Sequence, residues 1–190
     1  MNTKFILHGG SADRKSNDNK KFFRAIINSV DSNVVKILCI YFARPEQRWE
    51  ESFSEDTLAF LSVKEDKKID LKMAKLETEE LIKDIKNADV IFISGGMKGC
   101  LKEKLLEVVD FREIIEGKVV VGISAGTNIL CKYYYSNVTK KIREGIDILS
   151  VKIFCHYEES MLDELRKLEE YNEDLPAYNV PEEKFIILEF

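Results

Sequence analysis

Short apolar runs rich in β-branched and aromatic residues alternate along this chain with longer stretches whose apolar residues recur at helical spacing. Parallel strands need crossover helices and are buried on both faces, so this alternation implies a mainly parallel sheet flanked by helices on both faces. The fold class is α/β. Strands are expected at Lys4 to Leu7, Val35 to Tyr41, Ile69 to Ala74, Val90 to Ser94, Val119 to Ile123, Val151 to Phe154 and Phe185 to Leu188. Helices are expected at Asn19 to Ser29, Phe53 to Leu61, Glu77 to Ile85, Leu101 to Ile115, Thr127 to Tyr134 and Met161 to Tyr171. Ser160 is expected to cap the last of these, with Asp163 doing part of the work of a capping box.

A length of 190 residues fits one domain spanning 1–190, and 45% hydrophobic residues suffice for a core without disulfides or metal. The Lys- and Asp-dense stretch from Ser62 to Lys75 reads as surface rather than linker. A net charge of −5, with basic residues interleaved among acidic ones, disfavours nucleic acid and anionic membrane and points to a neutral or small polar partner. The run from Phe5 to Leu7 is too short for a signal-peptide core or a membrane span. Cys39, Cys100, Cys131 and Cys155 lie far apart among apolar residues, the usage of a cytoplasmic chain with reduced thiols. Two isolated histidines and scattered cysteines lack metal-ligand spacing, and there is no P-loop or G-x-G-x-x-G, so neither metal nor cofactor is expected. Composition leaves open a monomer or a homodimer.

In such sheets function collects where a strand turns into a helix, because backbone N–H groups and the helix dipole converge there. Glycines mark three of these junctions: Gly9-Gly10, Gly95-Gly96, and Gly122-Ile123-Ser124-Ala125-Gly126. The last is a G-x-S-x-G on a strand-to-helix turn, the setting of a nucleophile elbow, where a sharp turn lifts the serine hydroxyl clear of the sheet. A serine nucleophile needs a base, and the chain offers only His8 and His156. His156 follows the strand ending at Phe154 and precedes the charged turn Glu158-Glu159, so it is the better candidate. His8 is the weaker rival, which in the alternative lines the pocket. An α/β-hydrolase would place its acid between serine and histidine, yet only 34 residues follow His156 and too few strands precede Ser124 to complete that larger sheet.

Leu7-His8-Gly9-Gly10, Val90-Ile91-Phe92-Ile93-Ser94-Gly95-Gly96, the elbow around Ser124 and Cys155-His156-Tyr157 together resemble the S51 peptidases, the aspartyl dipeptidase (peptidase E) and cyanophycinase group. The resemblance covers nearly the whole chain and implies a class I glutamine amidotransferase-like fold, with serine where amidotransferases carry the elbow cysteine. It implies Ser124 as nucleophile, His156 as base, and the backbone N–H groups of Gly96 and Ala125 as the oxyanion hole. It also implies a carboxylate in the turn before the last core strand. Glu182 of Val180-Pro181-Glu182-Glu183-Lys184 matches best, and Glu183, which stands where the family tends to have glycine, is the reserve, since a one-residue slip would exchange the two. Family substrates are short peptides with an aspartyl group, which calls for a cation, and Arg44 is preferred over Lys98 because a guanidinium can hold a carboxylate bidentately. Arg48 lies on the same segment. The chain departs from the family at Met97-Lys98, where Asn-Thr is usual, and at Cys155, where proline often precedes the histidine. The resemblance thus implies a small-peptide hydrolase needing no cofactor, and the other class of function compatible with the residues is a catalytically silent binding member of the same fold.

Overall fold

The computed structural model describes residues 2–97 and 99–189. The first strand, β1 (Lys4–His8), carries Phe5, Ile6 and Leu7 into the core and is followed by α1 (Asn17–Asn28). The Ser16 side chain caps α1 by accepting from the Asn19 N–H at 3.1 Å. Phe22, Phe23, Ile26 and Ile27 form its buried stripe. Strand β2 (Val34–Ile40), helix α2 (Trp49–Leu61), β3 (Lys68–Met73), α3 (Thr78–Asn87) and β4 (Val90–Ile93) continue the alternation.

The expected helix from Leu101 to Ile115 is two helices, α4 (Leu101–Glu107) and α5 (Phe111–Ile114). Asp110 between them adopts a left-handed conformation, φ 57°, which ends one helix and lets the next start at a new angle. After β5 (Val119–Ile123), helix α6 spans only Ala125–Leu130. The remainder of the expected helix to Tyr134 is instead strand β6 (Cys131–Ser136), whose residues alternate buried and half-buried with period two. Its Tyr133-Tyr134-Tyr135 run suits a pleated surface better than a helix.

Strands β7 (Lys141–Glu144), β8 (Leu149–Cys155), helix α7 (Leu162–Glu169), β9 (Ala177–Val180) and β10 (Phe185–Glu189) complete the chain. Ser160 does not cap the last helix, because a 3₁₀ turn over Glu159–Met161 precedes α7 and no side-chain cap bond is made there.

The described strands form two sheets. The larger has the order β10-β1-β5-β4-β2-β3, parallel throughout except for the antiparallel edge strand β10. The smaller is β7-β6-β8-β9, with β6, β8 and β9 parallel and β7 antiparallel. The strand expected at Val151 to Phe154 therefore belongs to a second sheet, paired with two strands, β6 and β9, that periodicity did not disclose. Neighbouring parallel strands β1, β5 and β4 end together, bringing His8, Ile123 and Ile93 to one edge. No helix among the described residues is long and apolar enough to cross a membrane.

Candidate active site

All three glycine-marked junctions meet at this edge. The Ser124 N–H donates to the His8 carbonyl at 2.9 Å, tying the end of β5 to the end of β1. The same β1 extension then receives the second sheet: the His156 N–H donates to Gly9 O at 3.0 Å, the Glu183 N–H to Gly10 O at 2.9 Å, and the Gly9 N–H to Lys184 O at 2.9 Å. Gly9 has no room for a side chain, since a Cβ there would lie 2.1 Å from the Pro181 carbonyl oxygen. Backbone bonds from the short segment His8-Gly9-Gly10 thus fix the mutual positions of Ser124, His156 and the 181–184 turn.

Ser124 sits between β5 and α6 with φ 50° and ψ −104°, a conformation that costs a non-glycine residue about 1–3 kcal/mol. Its Oγ lies 2.7 Å from His156 Nε2. His156 is also in the left-handed region, φ 53°, at the end of β8. Its Nδ1 lies 3.0 Å from Glu182 Oε1. A proton on Nδ1 donated to this carboxylate leaves Nε2 as acceptor for the serine O–H, the tautomer that proton abstraction requires. The other Glu182 oxygen takes an ion pair from Arg14 Nη1 at 2.6 Å. The hydrogen bond from His156, helped by the Ser11 side chain and the Arg14 charge, holds the Glu182 carboxyl below the usual carboxylate range.

Glu183, the reserve choice for the acid, points elsewhere. It pairs with Arg14 at 3.3 Å, and its backbone is left-handed, φ 61°, the conformation for which glycine is the default residue. His8 is fully buried, its Nε2 3.0 Å from Asn19 Oδ1 and its Nδ1 accepting from the Gly10 N–H at 3.1 Å. Burial lowers its pKa to about 4, so it is a neutral core residue outside the clefts. Cys155, next to His156, has its thiol pushed up to about 12 by burial, which leaves it protonated and unreactive at neutral pH.

Two clefts meet at Ser124 and His156. One, about 390 Å³, is lined by Arg44, Arg48, Asp56, Gly95, Gly96 and Met97. The other, about 530 Å³, is lined by Gly96, Ala125, Asn128, Tyr134, Asn137 and Val138. Gly96 borders both, and its N–H has no partner among the described residues. Ala125 is the first residue of α6, where an α-helix leaves its N–H groups without an intrahelical acceptor. Arg44 reaches the first cleft but is partly committed, with Nε donating to Gly95 O and Nη1 to Ser52 Oγ, both at 2.9 Å. Lys98 lies outside the described residues. Sequence patterning missed Asp56, an α2 residue in the first cleft whose carboxyl accepts from the Tyr41 hydroxyl at 2.8 Å and is pushed up to about 6 by burial. A lone aspartate on a charged helix carries no signal that distinguishes it from surface.

No curated protein matches the sequence. Among solved structures the fold is similar to a peptidase E candidate from Listeria monocytogenes EGD-e, with a TM-score of 0.68 and 14% identity over 100% of this chain and 95% of that one. It is also similar to a peptidase from an acI-B1 Actinobacterium, with a TM-score of 0.62 and 16% identity over 99% of this chain and 84% of that one. At such identities the likeness establishes the fold alone. The model of peptidase family S51 matches residues 5–189, and the chain belongs to that family.

Proposed function

We propose that this chain is a serine-type peptidase of short peptides, with Ser124 as nucleophile, His156 as general base and Glu182 as the carboxylate that orients the base. The observation that carries the proposal is the continuous contact from Ser124 Oγ to His156 Nε2, 2.7 Å, and from His156 Nδ1 to Glu182, 3.0 Å. As Oγ attacks the substrate carbonyl carbon, its proton passes to Nε2. Glu182 keeps Nδ1–H oriented and stabilises the imidazolium without taking the proton. The carbonyl electrons move to oxygen, and the N–H groups of Gly96 and Ala125 receive the resulting oxyanion; losing one such donor costs about 2.7–4 kcal/mol of the barrier. The proton on His156 then goes to the leaving amine, and water, activated by the same base, releases the acyl group from Ser124.

The specificity we infer is for an aspartyl residue. Arg44 borders the cleft beside Ser124, and among the described residues its Nη2 has no partner, which leaves N–H donors for a substrate carboxylate. Lys98 is the second candidate cation. The test is labelling with a fluorophosphonate probe in wild type and Ser124→Ala, together with hydrolysis of Asp-Leu against Asn-Leu. Labelling confined to wild type and faster turnover of Asp-Leu are expected. A wild type that is neither labelled nor active on either dipeptide points instead to a catalytically silent binding member of the fold.

A further inference from the structure

We propose that Arg44 is a positioning residue that aims the oxyanion-hole N–H of Gly96, and that it serves every substrate of the site rather than only acidic ones. The inference rests on the serine-peptidase reading above and goes beyond it. The Gly95 carbonyl and the Gly96 N–H belong to one peptide group. That group is trans, no cis bond occurring among the described residues, and planar, so its oxygen and its N–H point in opposite directions. Whatever holds Gly95 O therefore sets the direction of the Gly96 N–H. Arg44 Nε holds it, at 2.9 Å, and the Ser94 hydroxyl is a longer second donor at 3.4 Å.

The arginine is itself fixed at both ends. Its guanidinium Nη1 donates to Ser52 Oγ at 2.9 Å, and its carbonyl accepts from the Trp49 indole N–H at 3.0 Å. Ser52 is buried, so this anchor does not move with the surface. The peptide it restrains packs directly against the nucleophile: a Cβ on Gly95 would lie 3.2 Å from Ser124 Cβ. On the other side, a Cβ on Gly96 would meet the Ala43 carbonyl oxygen at 2.1 Å, so the 43–44 segment and the 95–96 peptide are in close contact along their length. Charge adds to geometry. A cation on a carbonyl oxygen draws electron density from the amide, which makes the opposite N–H a stronger donor to a developing oxyanion. A glycine pair has no side chains with which to hold its own peptide plane, and Arg44 supplies that restraint from a neighbouring strand end.

A residue that only binds a substrate carboxylate and a residue that aims an oxyanion donor leave different kinetic signatures. The experiment uses aspartyl and asparaginyl p-nitroanilides on wild type, Arg44→Met, Arg44→Lys and Ser52→Ala, with phenylboronic acid as an uncharged inhibitor whose tetrahedral serine adduct places an oxygen in the hole. Arg44→Met is expected to lower kcat at least tenfold, and up to about 10²–10³-fold if the donor is lost outright, on the asparaginyl as well as the aspartyl substrate. KM for the asparaginyl substrate should stay within about twofold, and the boronate should lose affinity in step with kcat. Arg44→Lys, which keeps a charge and one donor, should recover part of the loss, and Ser52→Ala should show a smaller loss of the same kind. If Arg44→Met does not fold, Arg44→Lys and Ser52→Ala still carry the test. An Arg44→Met enzyme, or this pair, that hydrolyses the asparaginyl anilide with wild-type kcat and suffers only in KM for the aspartyl one overturns the proposal and leaves Arg44 as a specificity residue. A wild type that the fluorophosphonate does not label and that turns over neither anilide overturns the peptidase reading and this proposal together.

Discussion

Gly10 and His156 are in contact so close that no side chain can stand at position 10: a Cβ there would lie 2.0 Å from the imidazole Cε1. The diglycine after β1 therefore also sets where the His156 ring sits. Gly10 itself has φ 135°, which side-chain-bearing residues rarely adopt. We expect Gly10→Ala to displace the imidazole by an ångström or so and to lower kcat about 10²-fold, the usual scale for such a misplacement. The strained backbone should also lower stability, by about 1–3 kcal/mol. Turnover on Asp-Leu, measured beside thermal melting, checks both, and unchanged turnover would show that His156 does not need its observed position.

The acid is decided by a pair of substitutions. Glu182 contacts Nδ1 of His156, whereas Glu183 is held by Arg14. Glu182→Gln should lower turnover by as much as about 10⁴-fold with the fold preserved, because an amide can stabilise the wrong tautomer. Glu183→Gln should change it by less than about tenfold. A large loss confined to Glu183→Gln, or equal small losses in both, reverses the assignment.

The sequence was most legible where one physical signal dominates. The buried β-branched strands β2, β4 and β5 and the G-x-S-x-G turn could be read directly, since each is a local pattern with one structural solution. Thr127 to Tyr134 has apolar residues compatible with helical spacing, and it takes pairing with β7 and β8 to make Cys131–Ser136 strand β6 instead. Strand β9, four residues with a polar Asn179, is defined by its neighbour rather than by its own composition. At the site, motif and position made Ser124 and His156 candidates and the family resemblance made Glu182 one, and the structure brings the three into one hydrogen-bonded chain. The double commitment of Arg44, the ion pair of Arg14 with Glu182 and the burial of Asp56 are products of tertiary approach, and no local pattern encodes them.

The strain at Ser124 makes its own prediction. With φ 50° and ψ −104°, the position suits glycine better than any residue carrying a Cβ. Ser124→Ala and Ser124→Gly both remove the hydroxyl and should both abolish fluorophosphonate labelling. They should differ in stability. Glycine relieves a strain of about 1–3 kcal/mol but adds unfolded-state entropy worth about 0.4–1 kcal/mol, so a net gain of about 1 kcal/mol over alanine is expected. Urea unfolding of the two variants gives the comparison, and an alanine variant equal to or more stable than the glycine one would mean that the turn is not strained.

His8 predicts how stability depends on pH. Its pKa falls from 6.5 to about 4 on folding, chiefly by burial, with the ring packed 4.4 Å from Phe22 and both nitrogens bonded. Between pH 4 and 6.5 the unfolded chain binds a proton at this histidine that the native chain refuses. Stability therefore rises with pH across that window, and its full contribution, roughly 3 kcal/mol between the two limits, is lost as pH falls from above 6.5 to below 4. Asp56 acts in the opposite sense, because burial raises its carboxyl to about 6 and the native state holds a proton there that the unfolded state releases. The two slopes partly cancel, so the absolute stability curve of the wild type does not isolate His8. Its difference from the curve of His8→Asn does. Asparagine can still accept from the Gly10 N–H but does not titrate, so the variant should be less stable than wild type near pH 7, with the gap narrowing steadily toward pH 4.5. Urea denaturation at half-unit pH intervals reads the gap directly. A constant gap across the window would mean that His8 titrates alike in the folded and unfolded chains and is not held neutral by burial.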